Sequence, residues 1–288
     1  AGIAQVARFA SDAALTPAFY SVHEEWAREA HRLGWSTVKV AEEAIIDLGD
    51  LAFKGKKFQD VRTAFNHAKR EGIRAEWASY PSLPPQLKQQ VDAICQAWAD
   101  EKALPEMGFT LGGLREINDS DTRLLLALDE EERIHAVTSW MPVHSGGEVI
   151  GLTLDVMRRD DSGFRLAIDF LIGQAALLAQ DEGLQFISLS GAPLAESGQC
   201  EESAELADSR FAFAPVLDVM GSVMEPVYGF RSLLAYKKKF QVRFVPLYLA
   251  IPDIANAPAV GLAIAHAYLP NMSAVSAVGV AAKLVSRD

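Results

Sequence analysis

Apolar and polar positions along the chain switch repeatedly between a period of two and a period near three and a half, the mark of alternating strands and helices. Residues 16–22 (TPAFYSV) read as a strand, and 23–33 as a helix stopped by Gly34. STVKVA and EEAIIDL, over 36–48, read as strands. Phe58, Val61, Phe65 and Ala68 then form the stripe of a helix that ends at Gly72. A strand over 73–79, a Pro-rich turn (YPSLPP, 80–85) and a helix over 86–102 follow, and LPEMG at 104–108 reads as a boundary. Beyond it, 122–129, 134–143 and 148–157 predict three strands joined by short turns, an antiparallel meander. Phe164, Ile168, Leu171, Ala175 and Leu178 give the next helix, stopped by Gly183. Strand 186–190, a helical stretch near 203–224 and strand 241–251 complete the series.

Meander, helix, strand, helix, strand is the order of an acyltransferase-type α/β half, and two such halves in tandem make a double acyltransferase fold. The expected divisions are 1–104 for a first half, N-terminally incomplete, 105–255 for a second half holding the cleft, and 256–288 for a C-terminal helix and tail. The chain starts at Ala1 in apparent mid-helix, which reads as a fragment or a processed product. Residues 254–282 carry no formal charge, but Pro258, Pro270, Asn256, Asn271 and His266 interrupt them, and Ala and Gly outnumber large apolar residues. A docked small-residue helix fits this stretch better than a membrane span.

Composition removes several classes. With 288 residues, 50% hydrophobic and 23% charged, the chain is neither disordered nor fibrous. Two cysteines, Cys95 and Cys200, build no disulfide framework and point to a reducing compartment. The six histidines show no metal-ligand spacing, and neither GxxxxGK[ST] nor GxGxxG occurs. The strand-to-helix turn RRDDSGFR (158–165) does not fit a coenzyme A loop, since Asp160 and Asp161 would repel a pyrophosphate. Ser188-Leu-Ser190-Gly191 lacks the first glycine of a nucleophile elbow. No metal and no cofactor are expected.

Charge adds the first functional hint. The net charge is −11, yet Lys54, Lys56, Lys57, Arg62, Lys69 and Arg70 against Asp60 give residues 54–70 a net +5. Arg231, Lys237, Lys238, Lys239 and Arg243 give 231–243 another +5, leaving −21 on the rest. Two basic stretches on an acidic body fit a local polyanion site, although each also reads as a solvated face. Lys56, Lys57, Arg62 and Arg70 are the candidates for that phosphate contact, which salt would weaken.

Five strings carry a resemblance: GWSTVKVAEEAIIDL (34–48), FKGKKFQDVRTAFNHAKREG (53–72), LDVMR (154–158), SLSGAPLA (188–195) and YGFRSLLAYKKKFQVRFVPLYLAIP (228–252). In register, over roughly 15–270, they resemble the catalytic domain of the bacterial aminoacyl-phosphatidylglycerol synthases, the lysyl- or alanyl-phosphatidylglycerol transferases of the multiple-peptide-resistance-factor family. The resemblance implies a tandem acyltransferase fold, an aminoacyl-tRNA donor and a phosphatidylglycerol acceptor at the cytoplasmic face of the membrane, often beside a membrane-embedded flippase region. Other acceptors (diacylglycerol, another lipid, a peptidoglycan precursor) and a non-catalytic lipid- or RNA-binding module are the competing readings.

Within those strings, Asp155 is expected to orient or deprotonate the acceptor hydroxyl, or to hold the amino group of the aminoacyl moiety. Arg158 is expected to bind the lipid phosphate or the tRNA terminus through its fork. If YKKKF is extended, Lys237 and Lys239 point the same way, and one of them meets the carbonyl oxygen or the phosphate. Tyr228 and Arg231 match the aromatic-Gly-x-Arg string and are expected to help bind substrate. Ser188, Ser190 and Gly191 end a strand beside the same cleft, where small residues let a substrate approach. Glu225 is a further carboxylate near the second basic stretch.

Overall fold

The computed structural model describes residues 2–101, 109, 112–193, 197–198, 200, 206, 213 and 230–268. The chain folds as two compact units, one drawn from 1–43, 191–234 and 244–288, the other from 44–190 and 235–243. The divisions read from the sequence follow the chain, whereas these units interleave along it. Sheet pairing is the reason, because each unit recruits a strand or helix from far along the sequence.

In the first unit, helix α1 (Gly2–Asp12), strand β1 (Phe19–His23), helix α2 (Glu24–Arg32) and the start of strand β2 (Ser36–Asp47) precede β8 (Arg243–Ile251) and α8 (Ala257–Tyr268). Strand β1 pairs antiparallel with β8, Phe19 opposite Ala250 and His23 opposite Leu247. Ile3, Ala30, Trp35 and Ala250 form one buried cluster there. Strand β2 is continuous across the two strands expected over 36–48, and Val40, Ala41, Ala44, Ile45 and Ile46 along it are all buried. In α8, Val260, Ile264 and Tyr268 are buried while Leu262 is exposed, so this helix docks as expected. Among the described residues no helix is long and apolar enough to cross a membrane.

In the second unit, α3 (Gln59–Arg70), β3 (Arg74–Ala78), α4 (Pro85–Glu101) and α5 (Leu114–Ile117) lead to β4 (Arg123–Leu128), β5 (Ile134–Ser145) and β6 (Glu148–Arg159). Then come α6 (Ala167–Asp181), β7 (Phe186–Pro193), which continues past this unit, and the end of α7 (Phe230–Lys237), whose residues up to Leu234 belong to the first unit. Strands β3 to β6 pair antiparallel in sequence order, and β7 joins β6 in parallel. The expected meander is thus present. Its β4 reads RLLLAL because both faces are covered. Leu124, Leu126 and Leu128 pack with Val91 and Ile94 of α4, and α6 packs on the meander as well. Gly173 lets α6 meet α3, since a Cβ there would lie 2.7 Å from the Phe65 ring. The helical stretch expected near 203–224 falls almost wholly outside the described residues.

Candidate active site

Two departures from regular sheet shape the site. The first is a bulge in β6. Thr138 faces Met157 and Trp140 faces Leu154, so Asp155 and Val156 together oppose Ser139. The Val156 N–H donates to Ser139 Oγ at 2.9 Å, which satisfies a donor the ladder has lost. The second is the end of β6–β7 pairing. Parallel pairing runs from Gly151–Phe186 to Thr153–Ser188. Beyond it Ser190 adopts φ 65°, and its hydroxyl donates to the Leu154 carbonyl. Asp155 is the next residue along β6. Sequence and pairing thus place one carboxylate where two parallel strands separate.

The Asp155 carboxylate is half satisfied. Its Oδ1 accepts the Gly112 N–H at 2.9 Å. Its Oδ2 is buried and has no hydrogen-bond partner among the described residues. Burial raises the Asp155 pKa above the ordinary carboxylate value; the Gly112 N–H lowers it, nearby Glu116 raises it, and Arg158 lowers it. Arg158 stacks on Trp98 of α4, its guanidinium carbon 3.4 Å from the ring centroid, and donates to the Met157 carbonyl at 2.9 Å.

The serines and Lys237 form a clasp on the β7 side. Ser188 is buried and its Oγ accepts the Ser190 N–H at 3.0 Å. Lys237, 3% exposed, donates to the Ser190 carbonyl at 2.9 Å. Gly191 belongs to the other unit, where a Cβ would lie 3.2 Å from the Leu247 side chain, so packing already makes the position tight.

The YKKKF segment is not extended. Helix α7 ends at Lys237 and a 3-10 turn covers Lys238–Phe240, closed by Gln241 at φ 55°. Phe240 is buried and anchors the turn. Lys237 and Lys239 therefore diverge instead of pointing the same way. Lys239 pairs with Asp169 of α6 at 3.4 Å and lies 4.7 Å from the centre of the Tyr236 ring. Burial, and then the Asp169 carboxylate beside it, push the Tyr236 hydroxyl pKa upward.

The fold brings the two basic stretches together. The 3-10 turn Lys56–Phe58, which precedes α3, packs beside the turn Lys238–Phe240. Lys56 and Lys57 are exposed there, and Arg62 donates to the Gly55 carbonyl. Arg70 is at the far end of α3, about 18 Å away for 12 residues at 1.5 Å each, so it does not join them. The Arg231 backbone lies in α7 but its side chain, like Tyr228 and Glu225, lies outside the described residues.

Sequence reading missed Gly112, Trp98, Glu116 and Asp169. Asp169, a carboxylate within the apolar run AIDFLIG, was the clearest available signal. Gly112 could be found only as half of a Gly-Gly pair, and Trp98 carries no local mark.

Comparison with known proteins gives this geometry a family. The profile of the phosphatidylglycerol lysyltransferase C-terminal family matches residues 2–251. A protein of Corynebacterium glutamicum is 44% identical over 266 residues, covering 92% of this chain and 33% of that protein. A lysylphosphatidylglycerol biosynthesis bifunctional protein of Nocardia farcinica is 27% identical over 262 residues, covering 89% and 22%. The chain thus spans a third or less of these two relatives. Among solved structures, a C-terminal domain assigned to a lysylphosphatidylglycerol synthetase of Agrobacterium fabrum aligns with TM-score 0.74 at 20% identity, over 94% of this chain and 78% of that one. The L-PGS of Bacillus licheniformis aligns with TM-score 0.72 at 23% identity, over 91% and 76%. FemX aligns with TM-score 0.57 at 10% identity, over 90% and 78%. The fold is the mixed α/β, tandem acyltransferase fold that the element order led us to expect. With the profile match running over most of its length, the chain belongs to the phosphatidylglycerol lysyltransferase C-terminal family.

Proposed function

We propose that this domain transfers an aminoacyl group, lysyl or alanyl, from aminoacyl-tRNA to the glycerol hydroxyl of phosphatidylglycerol. The observation that carries the reading is Asp155: a half-satisfied carboxylate with a raised pKa, at the point where β6 and β7 part. The names of the Nocardia and Agrobacterium relatives favour lysine as the amino acid.

The acceptor hydroxyl attacks the ester carbonyl of the aminoacyl group. Asp155 takes the hydroxyl proton as the new C–O bond forms and returns it to the ribose oxygen as the old C–O bond breaks. One ester replaces another, so the exchange is nearly balanced and needs no nucleotide. Arg158, fixed on Trp98, binds the acceptor phosphate. Lys239 meets the developing oxyanion or the phosphate. Lys237, already committed to the Ser190 carbonyl, holds the β7 edge. Lys56, Lys57 and Arg62 beside the Lys238 turn attract the polyanionic donor or the anionic inner leaflet, while Arg231 and Tyr228 belong to substrate binding. The domain then works at the cytoplasmic face of the membrane.

The test is incubation with labelled lysyl- or alanyl-tRNA and mixed lipid vesicles, resolved by thin-layer chromatography. A labelled product that forms only with phosphatidylglycerol supports the reading, and its loss in Lys239→Ala supports the role of that lysine. Product on diacylglycerol or on a peptide precursor would move the acceptor. No product with any acceptor would leave a binding module.

A further inference from the structure

We infer that Gly112 is a positioning residue for the reaction, holding and tuning Asp155 through its backbone. The inference rests on the reading of Asp155 as the group that activates the acceptor. Two observations carry it. The Gly112 N–H donates to Asp155 Oδ1 at 2.9 Å, across 43 residues of sequence. A Cβ at Gly112 would lie 1.6 Å from Asp155 Oδ2 and 2.3 Å from its Cγ, so only glycine lets the backbone come this close.

The two contacts do different work. A strand residue beside a bulge has a side chain free to swing, and one bond to a fixed backbone donor removes that freedom. The same bond stabilises the ionised carboxylate and offsets part of the burial that pushes its pKa up. It engages one oxygen and leaves the other uncommitted to any described residue. The carboxylate is therefore fixed through one oxygen, and the other is left as the site that takes the proton of a neutral hydroxyl.

The donor is itself anchored. Gly112 is buried, and the next residue, Gly113, starts α5, its N–H donating to Glu116 at 2.9 Å. Ile117 of α5 is fully buried in the cluster that holds β4 and Val156. The path from core to carboxylate is short: Ile117, the first turn of α5, Gly112, Asp155. Glu116 acts in the opposite sense, its negative charge raising the Asp155 pKa. The segment 112–116 thus carries one group on each side of the balance that sets the charge of Asp155.

The experiment compares wild type, Gly112→Ala and Asp155→Asn. In Gly112→Ala the methyl displaces the carboxylate, and turnover is expected to fall about a hundredfold, with KM for lipid changed by less than about threefold. The acid limb of its pH–rate profile is expected to move up by about one unit, because the stabilising N–H is lost. The unfolding midpoint should stay within a few degrees of wild type. A purely structural glycine would move stability and leave the acid limb in place. As a measurement free of the substitution, the Gly112 amide proton in wild type should follow the titration of Asp155, and that pH dependence should vanish in Asp155→Asn. Should Gly112→Ala fail to fold, the amide titration decides. Full activity in Asp155→Asn would overturn the reading of Asp155. An inactive Asp155→Asn beside a Gly112→Ala of wild-type turnover and acid limb, or a Gly112 amide indifferent to pH, would overturn the inference alone.

Discussion

Asp129, in the turn after β4, and Asp155, at the bulge of β6, are carboxylates of one meander in opposite circumstances. Asp129 Oδ1 accepts the N–H groups of Glu131 at 3.0 Å and Arg133 at 2.9 Å, and its Oδ2 meets His135 at 3.0 Å. His135 Nδ1 accepts the Phe164 N–H, so the ring proton sits on Nε2 and is donated to Asp129. Burial alone would raise the Asp129 pKa, but these bonds outweigh it and the pKa is lowered. Asp155 has one N–H for two oxygens, and burial wins. A carboxylate with both oxygens engaged holds a turn; one left half occupied is poised to take a proton.

The largest expected effect lies on the Asp155 side. Asp155→Asn should lower transfer about a thousandfold, the range for loss of a general base. It should leave the fold intact and raise the unfolding midpoint at pH 7. The sign follows from the raised pKa: ionised Asp155 costs stability at pH values above its folded pKa. That cost, and the gain from removing it, disappear below the unfolded value of about 4. Thermal unfolding of both proteins at pH 7 and pH 3.5 reads it.

Asp129→Ala should do the reverse, lowering stability by about 1 kcal/mol as the Glu131 and Arg133 N–H groups and the His135 ring lose their acceptor, with turnover of the folded protein unchanged. Its lowered pKa gives the opposite pH dependence. The stability it contributes is present above about pH 4 and is lost as pH falls through the folded value. Urea titrations at pH 7 and pH 3 separate the two carboxylates.

Trp98→Ala should sharpen the comparison at the partner of Asp155. Arg158 loses its aromatic platform, and KM for lipid is expected to rise about fivefold to tenfold, the worth of a partly desolvated cation–π contact. Unchanged KM would mean that Arg158 needs no such support.

The smallest effect concerns the basic surface. With −11 overall, only local charge brings the protein to an anionic leaflet, each basic residue contributing about 1 kcal/mol. Flotation should show weak binding to anionic vesicles, lost at high salt and absent with neutral vesicles. Lys56→Glu with Lys57→Glu should weaken it. Equal binding to neutral vesicles would make an apolar surface the anchor.

Much of the meander and its helices was legible because the apolar periods are strong: the TRLLLALD and IHAVTSWMPV runs are covered on both faces and read as strands wherever they pack. The YKKKF turn was not, because three lysines carry no periodicity and the turn is anchored by the buried Phe240 and Lys237. The continuity of β2 was hidden by its two glutamates, of which Glu42 is buried against Lys39 at 3.0 Å. In the site, Asp155 and Arg158 stand three residues apart in one string and were found together. Gly112 and Trp98 reach them from 43 and 60 residues upstream, through contacts that no local pattern encodes.

The most direct measurement of the account is the pH dependence of kcat/KM for aminoacyl transfer to phosphatidylglycerol by the wild-type domain. The account predicts an acid limb set by one group whose pKa lies above the ordinary carboxylate value of about 4, and which disappears from the residual rate of Asp155→Asn. A flat acid side, or a limb that survives in Asp155→Asn, would contradict it.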